Sequence, residues 1–327
     1  MLPPTFEDIV SARKFIAKYL PKTPLVHIPK ISEVLECDYY AKLENLQPTG
    51  AFKVRGGVNL VGNDLSVRGT NERATLITAS TGNHGQSIAY AGSLFGARVI
   101  IYAPAENVNE SKMQSMRDLG AEVRLHGRDF DEARLEMERV ATEAGYRYVH
   151  SANEPLLIAG VGTIGLEIFE DLPDVDVIIG PAGGGSCAAG NCIVARELNP
   201  EVRVLATQSV AAPALWHAFR KRSLDPYPTM ATVHEGLATR VPFELTNKIL
   251  WDLLADFILV TDEEINEAIR ILARDAKQVA EGAGAASLAA AIKLSGGPAG
   301  LRGKKVAGIL TGGNIPSERL ARVMMEQ

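Results

Sequence analysis

Cysteine is scarce in this chain: Cys37, Cys187 and Cys192 are the only three among 327 residues. Their spacing fits no zinc pattern, and any disulfide would leave one thiol over, so they read as reduced thiols of a cytoplasmic protein. Neither sign of charge dominates. Lys and Arg number 34 against 39 Asp and Glu, a net charge of −5, which argues against a nucleic-acid binder, since such proteins carry a basic excess or stripe. No run of 18 apolar residues occurs, so no membrane span is expected. The start, Met1-Leu2-Pro3-Pro4-Thr5-Phe6-Glu7-Asp8, lacks a basic segment ahead of an apolar run, so no secretory signal is expected there. Internal repeats and low-complexity linkers are missing as well. At 46% hydrophobic and 22% charged, the composition is that of an ordinary folded protein, long enough for two compact domains or one large one.

What the chain has is alternation. Thr5 opens an amphipathic helix to about Leu20, with Asp8 as a partial capping box. A short strand is expected over Asp38 to Leu43. Strands then alternate with helices: Leu76 to Thr78, Gln86 to Phe95, Arg98 to Tyr102, Asn109 to Leu119, Glu122 to Leu125 and Asp129 to Ala144. A second run follows, with strands at Val175 to Ile179, Val202 to Thr207, Phe257 to Val260 and Lys305 to Leu310. Residues 209 to 255 are expected to be mostly helical, and Asp262 to cap the helix after it. Such alternation means an α/β protein with parallel sheets covered by helices. The last element expected is a helix over Ser317 to Met325, and no appended regulatory domain is expected after it.

Three junctions between strand and helix are rich in glycine. Val177-Ile178-Ile179-Gly180-Pro181-Ala182-Gly183-Gly184-Gly185-Ser186 is a buried strand, a glycine loop and a helix start. Successive N–H groups converge in such a loop and the helix dipole adds positive potential, which suits a phosphate. The alternative is a tight turn with no ligand. Ser80-Thr81-Gly82-Asn83-His84-Gly85-Gln86 exposes hydroxyls, an amide, an imidazole and helix-terminal N–H groups, which suit a carboxylate. Ordinary capping, and a structural role for His84, are the plainer alternatives. Thr311-Gly312-Gly313-Asn314 follows the last strand. Ligands of doubly wound sheets gather outside strand ends, so the three junctions can converge. Upstream, Pro48-Thr49-Gly50 makes a turn and Thr49 is placed to cap the helix carrying Lys53. A lysine held there can lose its proton by desolvation and attack a carbonyl, although a solvated lysine is the plainer reading of that segment alone.

Together these pieces resemble one family. Thr49-Gly50-Ala51-Phe52-Lys53-Val54-Arg55-Gly56 is similar to the Schiff-base lysine motif of the serine/threonine dehydratases, fold-type II pyridoxal-phosphate enzymes. The Ser80 loop resembles their substrate loop and Gly183 to Ser186 their phosphate loop. Glu281-Gly282-Ala283-Gly284-Ala285-Ala286 and Thr311 to Asn314 match two further segments, in the family's order and over nearly the whole chain. The resemblance implies two α/β domains, residues 1–51 with 155–327 and an inserted smaller unit over 52–154. It implies pyridoxal 5'-phosphate in the cleft between them. Lys53 would hold the cofactor aldehyde, and Gly183, Gly184, Gly185 and Ser186 its phosphate. Asn83 would meet the ring hydroxyl and Thr311 the pyridine nitrogen, with Phe52, Gly236 and Glu281 lining the cofactor. Ser80, Thr81, Asn83 and His84 would bind the substrate carboxylate. The implied activity is β-elimination from L-threonine, L-serine or a related β-hydroxy amino acid to an α-keto acid and ammonia, by a homodimer or higher homo-oligomer.

Four positions depart from the common family form. Thr81 stands where the family's racemases carry the serine that acts as acid/base opposite the lysine. Its stiffer χ1 counts against the alternative activity, amino-acid racemisation. Ser186 replaces a fourth glycine and offers the phosphate a side-chain bond. Thr207-Gln208-Ser209, with Ala212 and Ala214, lacks the carboxylates of the racemases' divalent-cation site, so no metal is expected there. Ala152 replaces a larger residue, which implies a roomier substrate pocket.

Overall fold

A computed structural model describes residues 1–64, 74–106, 110–297 and 300–326. Two sheets organise the chain. The larger has six strands, in spatial order β1 (Leu25–His27), β2 (Asp38–Leu43), β10 (Lys305–Leu310), β7 (Val177–Pro181), β8 (Arg203–Ser209) and β9 (Asp256–Val260). All its pairings are parallel except β1 on β2. The short edge strand β1 and the helix Pro29–Leu35 that follows it are not among the elements expected from the sequence. The smaller sheet is parallel throughout, in the order β5 (Glu122–Leu125), β4 (Arg98–Ala103), β3 (Thr75–Ala79) and β6 (Arg147–Tyr148).

Burial explains the strand sequences. β4, β7 and β10 are almost wholly buried, and their β-branched runs are those of strands covered on both faces. Helix Lys53–Asn63 packs into the seam between the layers, against helices Asn83–Phe95 and Pro155–Asp171. Glycines allow that approach: a Cβ on Gly57 would lie 2.2 Å from Ser87 Oγ, and one on Gly160 2.5 Å from the Arg55 carbonyl. Among the described residues no helix is long and apolar enough to cross a membrane.

Several local expectations shift. Helix Phe6–Ile16 has both bonds of the Thr5/Asp8 capping box, but stops short of Leu20. Asn109 lies outside the described residues, and the helix expected there is seen over Glu110–Asp118. Residues 209 to 255 are not mostly helical: helix Ala214–Lys221 and helix Glu244–Leu253 flank an irregular stretch, 222–243, with one 3-10 turn at Glu235–Leu237. Prolines and exposed polar residues there leave no continuous apolar stripe to dock. Thr261, not Asp262, caps helix Asp262–Ile271, with Glu264 completing the box. Asp262 instead turns back, accepting bonds from Ser209 Oγ at 2.6 Å, Thr232 Oγ1 at 2.8 Å and the Val233 amide at 3.0 Å. It therefore anchors the irregular stretch.

Candidate active site

The carboxyl ends of β3, β7 and β10 open toward one cleft of about 180 Å³. All thirteen candidate residues line it: Phe52, Lys53, Ser80, Thr81, Asn83, His84, Gly183, Gly184, Gly185, Ser186, Gly236, Glu281 and Thr311.

Lys53 is the first residue of its helix, and no side chain caps that helix. Thr49 Oγ1 donates to the Ala51 carbonyl at 3.4 Å instead, so the expected cap is absent. Docking to β10 sets the lysine's position. Phe52 N–H donates to the Thr311 carbonyl at 2.9 Å, Gly313 N–H to the Gly50 carbonyl at 2.9 Å, and Ala51 bridges Gly312 antiparallel. Gly50 suits this position twice over: its φ of +69° is left-handed, and a Cβ there would lie 2.4 Å from Asn314 Oδ1. The Lys53 amine donates to the Ser151 carbonyl at 2.9 Å and to Ser186 Oγ at 3.2 Å. Burial lowers its pKa to about 8, against a small opposing effect from Cys187. A neutral fraction of amine is thus present near pH 7.

The loop after β7 is a cradle that depends on its glycines. A Cβ on Gly183 would lie 2.2 Å from the Gly236 carbonyl, and Gly185 has φ +84°. The helix that follows, Ser186–Leu198, directs its free first-turn amides here. Ala152 is fully buried beside this loop, its Cβ 3.1 Å from where a Gly184 Cβ would stand, next to the Phe243 ring. The roomier substrate pocket expected from Ala152 is therefore not found: Ala152 does not line the cleft, and it packs against the glycine loop beside Phe243.

The loop after β3 differs from its sequence reading in two ways. Ser80 Oγ accepts from the amides of Gly82 at 3.1 Å and Gly85 at 2.9 Å, so it holds the loop's shape. His84 offers no positive charge to a carboxylate, since burial, then Lys53, drives its pKa down to about 3. Its Nε2 meets Thr78 Oγ1 at 3.0 Å, while Nδ1 is buried with no partner among the described residues. What the loop can present is the Thr81 hydroxyl and the amides at the start of helix Asn83–Phe95. Asn83 is pinned at both ends of its amide, donating to Glu281 Oε1 at 2.6 Å and accepting from Asn314 Nδ2 at 2.8 Å. One Nδ2 N–H stays available. Burial raises the Glu281 pKa, opposed by Lys112 and Asn83.

Sequence reasoning missed part of the lining. Lys112, on helix Glu110–Asp118, forms an ion pair with Glu235 across the cleft, and Ser151, Cys187 and Thr239 complete the wall. No local pattern marks Lys112 or Glu235, because their pairing exists only once the two sheets face each other. Gln208 lacks a charge and does other work: its Oε1 accepts from the amides of Leu215 and Trp216, opening helix Ala214–Lys221.

An amine of lowered pKa, an anion cradle and a buried hydroxyl thus face one cleft. The pattern of the pyridoxal-phosphate-dependent enzymes matches residues 16–312, and the chain belongs to that family. It is similar to the L-threonine ammonia-lyase of Thermotoga maritima, 38% identical over 98% of this chain and 78% of that one. Among solved structures it superposes on maize serine racemase with a TM-score of 0.91 at 29% identity, covering 98% and 97% of the two chains. It superposes on the processed form of threonine deaminase isoform 2 from Solanum lycopersicum with a TM-score of 0.89 at 25% identity, covering 98% and 94%. The donors present fit pyridoxal phosphate. Thr311 Oγ1 is buried in the cleft floor and has no hydrogen-bond partner among the described residues, a polar atom a ring nitrogen would satisfy.

Proposed function

We propose that this chain deaminates L-threonine, L-serine or a related β-hydroxy amino acid to an α-keto acid and ammonia. The observation that carries this reading is the Lys53 amine, with its pKa lowered to about 8, set beside the glycine cradle and facing the orphaned Thr311 hydroxyl. Gly183, Gly184, Gly185 and Ser186 would hold the cofactor phosphate, Thr311 its ring nitrogen, and Asn83 its ring hydroxyl by the free N–H. Phe52, Gly236 and Glu281 would enclose it. When bound, the cofactor supplies the electron sink that makes the substrate's α-C–H acidic. Lys53 takes that α-proton as general base. The amides of the Ser80 loop would orient the substrate carboxylate, and Thr81, which lines the same cleft, would be the acid/base opposite Lys53. Thr311 is a neutral hydroxyl and cannot form a carboxylate–pyridinium pair, which favours prompt loss of the β-hydroxyl as water. Hydrolysis of the released enamine gives the keto acid and ammonia. The T. maritima relative, an L-threonine ammonia-lyase, supports this substrate class.

The same reading takes residues 52–154 as the inserted smaller domain and the working protein as a homodimer or higher homo-oligomer. The test is keto-acid formation from L-threonine and L-serine by the chain and by Lys53→Ala, with D-serine followed in parallel. The chain is expected to form keto acid faster than D-serine, and Lys53→Ala to form neither and to trap no cofactor on borohydride reduction. D-serine appearing faster than pyruvate would sink the reading in favour of racemisation.

A further inference from the structure

Residues 149–154 return the chain from β6 to helix Pro155–Asp171, and hydrogen bonds hold them along their length. Val149 N–H donates to the Ile77 carbonyl at 2.9 Å, and its own carbonyl accepts from Thr78 Oγ1 at 2.8 Å. His150 N–H donates to Glu154 Oε1 at 3.3 Å, and Asn153 Oδ1 accepts from the Leu245 amide at 3.1 Å. The centre of the turn is an imidazole. His150 Nδ1 accepts from the amides of both Ala152, at 3.0 Å, and Asn153, at 2.9 Å. Both bonds need a lone pair, so the ring is neutral with its proton on Nε2. Burial first, then the charges of Lys53 and Arg134, lower its pKa to about 4. Phe243 meets the ring edge-on at 4.7 Å and Tyr148 flanks it at 5.9 Å. Between the imidazole and the amides it gathers lies Ser151, whose carbonyl accepts from the Lys53 amine at 2.9 Å.

We propose that His150 is a positioning residue, whose Nδ1 folds residues 151–153 into the turn that aims the Ser151 carbonyl at the Lys53 amine. The inference rests on Lys53 being the reacting amine. Asparagine and aspartate make such turns by accepting their neighbours' amides, and histidine does the same here, because Nδ1 stands as many bonds from the backbone as an asparagine Oδ1. Without the acceptor the amides of Ala152 and Asn153 lose their partner. The turn opens, and Lys53 keeps only Ser186 Oγ. A displacement of about 1 Å in a reacting group costs on the order of a hundredfold in rate.

The experiment compares holoenzymes of the parent, His150→Phe and His150→Asn. Three quantities are read: kcat and KM for L-threonine, the melting midpoint, and the rate at which pyridoxal phosphate, added back after hydroxylamine removal, becomes borohydride-trapped on Lys53. His150→Phe keeps a ring against Phe243 and removes the acceptor. Its kcat and trapping rate should each fall by about tenfold to a hundredfold while KM stays within about threefold. His150→Asn restores an acceptor and should recover both to within about threefold of the parent. An Asn variant as slow as Phe despite a parental melting midpoint overturns the inference, as does a Phe variant at parental rates. If His150→Phe does not fold, His150→Gln, with its acceptor one methylene further out, takes its place. The same loss is expected, and parental rates would overturn the inference. A parent inactive on every amino acid would refute the proposed function instead, and the trapping rates would still decide the role of His150.

Discussion

Two regions of this protein use the same residue types to opposite ends. Two residues beyond Lys53, Arg55 is fully buried. It donates to Glu44 Oε2 at 2.7 Å and Oε1 at 2.8 Å, to Glu167 Oε1 at 2.9 Å and Oε2 at 2.7 Å, and to Thr163 Oγ1 at 3.2 Å. Lys42, equally buried, donates to Glu167 Oε2 at 2.7 Å and to the Thr23 carbonyl at 2.6 Å. Two buried cations and two buried carboxylates balance, with every member partnered, and the partly exposed Arg13 adds a longer pair to Glu167 Oε1 at 3.6 Å. On helix Phe130–Ala144 the pairs Arg134–Glu138, Arg139–Glu136 and Arg139–Glu143 follow i,i+3 and i,i+4 spacing on a wet surface. Exposed pairs contribute little, because water serves each partner almost as well. In the buried set each charge has lost water and depends on its partners. The difference lies in what remains when one member is removed.

The comparison can be broken hardest at Glu167. Glu167→Gln keeps the shape but strands Lys42 and Arg55 against half their counter-charge, so unfolding stability should fall by about 3–5 kcal/mol. Chemical denaturation measures it, and a loss below about 1 kcal/mol would mean the network is not a unit. Acid sharpens the contrast. Burial opposes the charge on Glu167, but Arg55 and Lys42 outweigh it and lower its pKa from 4.5 to about 2. A folded pKa below the unfolded value means the unfolded chain binds more protons between the two. The contribution is therefore complete above about pH 4.5 and lost as pH falls through about 2. Parent and Glu167→Gln should differ in the steepness of acid unfolding across that window, and equal steepness would contradict the assignment.

Arg240 pairs with Asp131 and ties the irregular stretch 222–243 to helix Phe130–Ala144, with both side chains about half exposed. Arg240→Ala should cost roughly 0.2–1 kcal/mol at low salt, a difference that vanishes at high ionic strength. The smallest effect is expected at Arg139, where Arg139→Ala should leave the melting curve superimposable on the parent's.

Much of this arrangement is legible in the sequence because it is local. Glycine loops after apolar runs and the alternation of short strands with helices depend on residues near one another in sequence, so Gly183 to Ser186 stand out from their own neighbourhood, while Lys53 and Thr311 gain meaning only when the motifs are read together. Thr5 with Asp8 shows the same for a helix cap. The failures also share a cause. Asp262 reads as a cap, but its carboxylate serves Ser209, Thr232 and Val233, and two of those come from a loop some thirty residues away. His84 suggests a carboxylate ligand, yet its charge state depends on burial first, then on Lys53 and the Val149 carbonyl around it.

The sequence by itself determined the kinds of chemistry this chain carries: a lysine behind a turn, three glycine junctions and the strands that carry them. Backbone sterics and helix termini act within a few residues, and such information survives in a linear string. Tertiary structure alone decided which groups are charged and what they touch. Lys53 falls to about 8 because packing removes its water, and Ala152 lies against the glycine loop because Gly184 and Phe243 meet it there. Arg55 finds Glu167 across 112 positions. Desolvation and long-range pairing depend on distances through space, and those are set only when the two sheets close on one another.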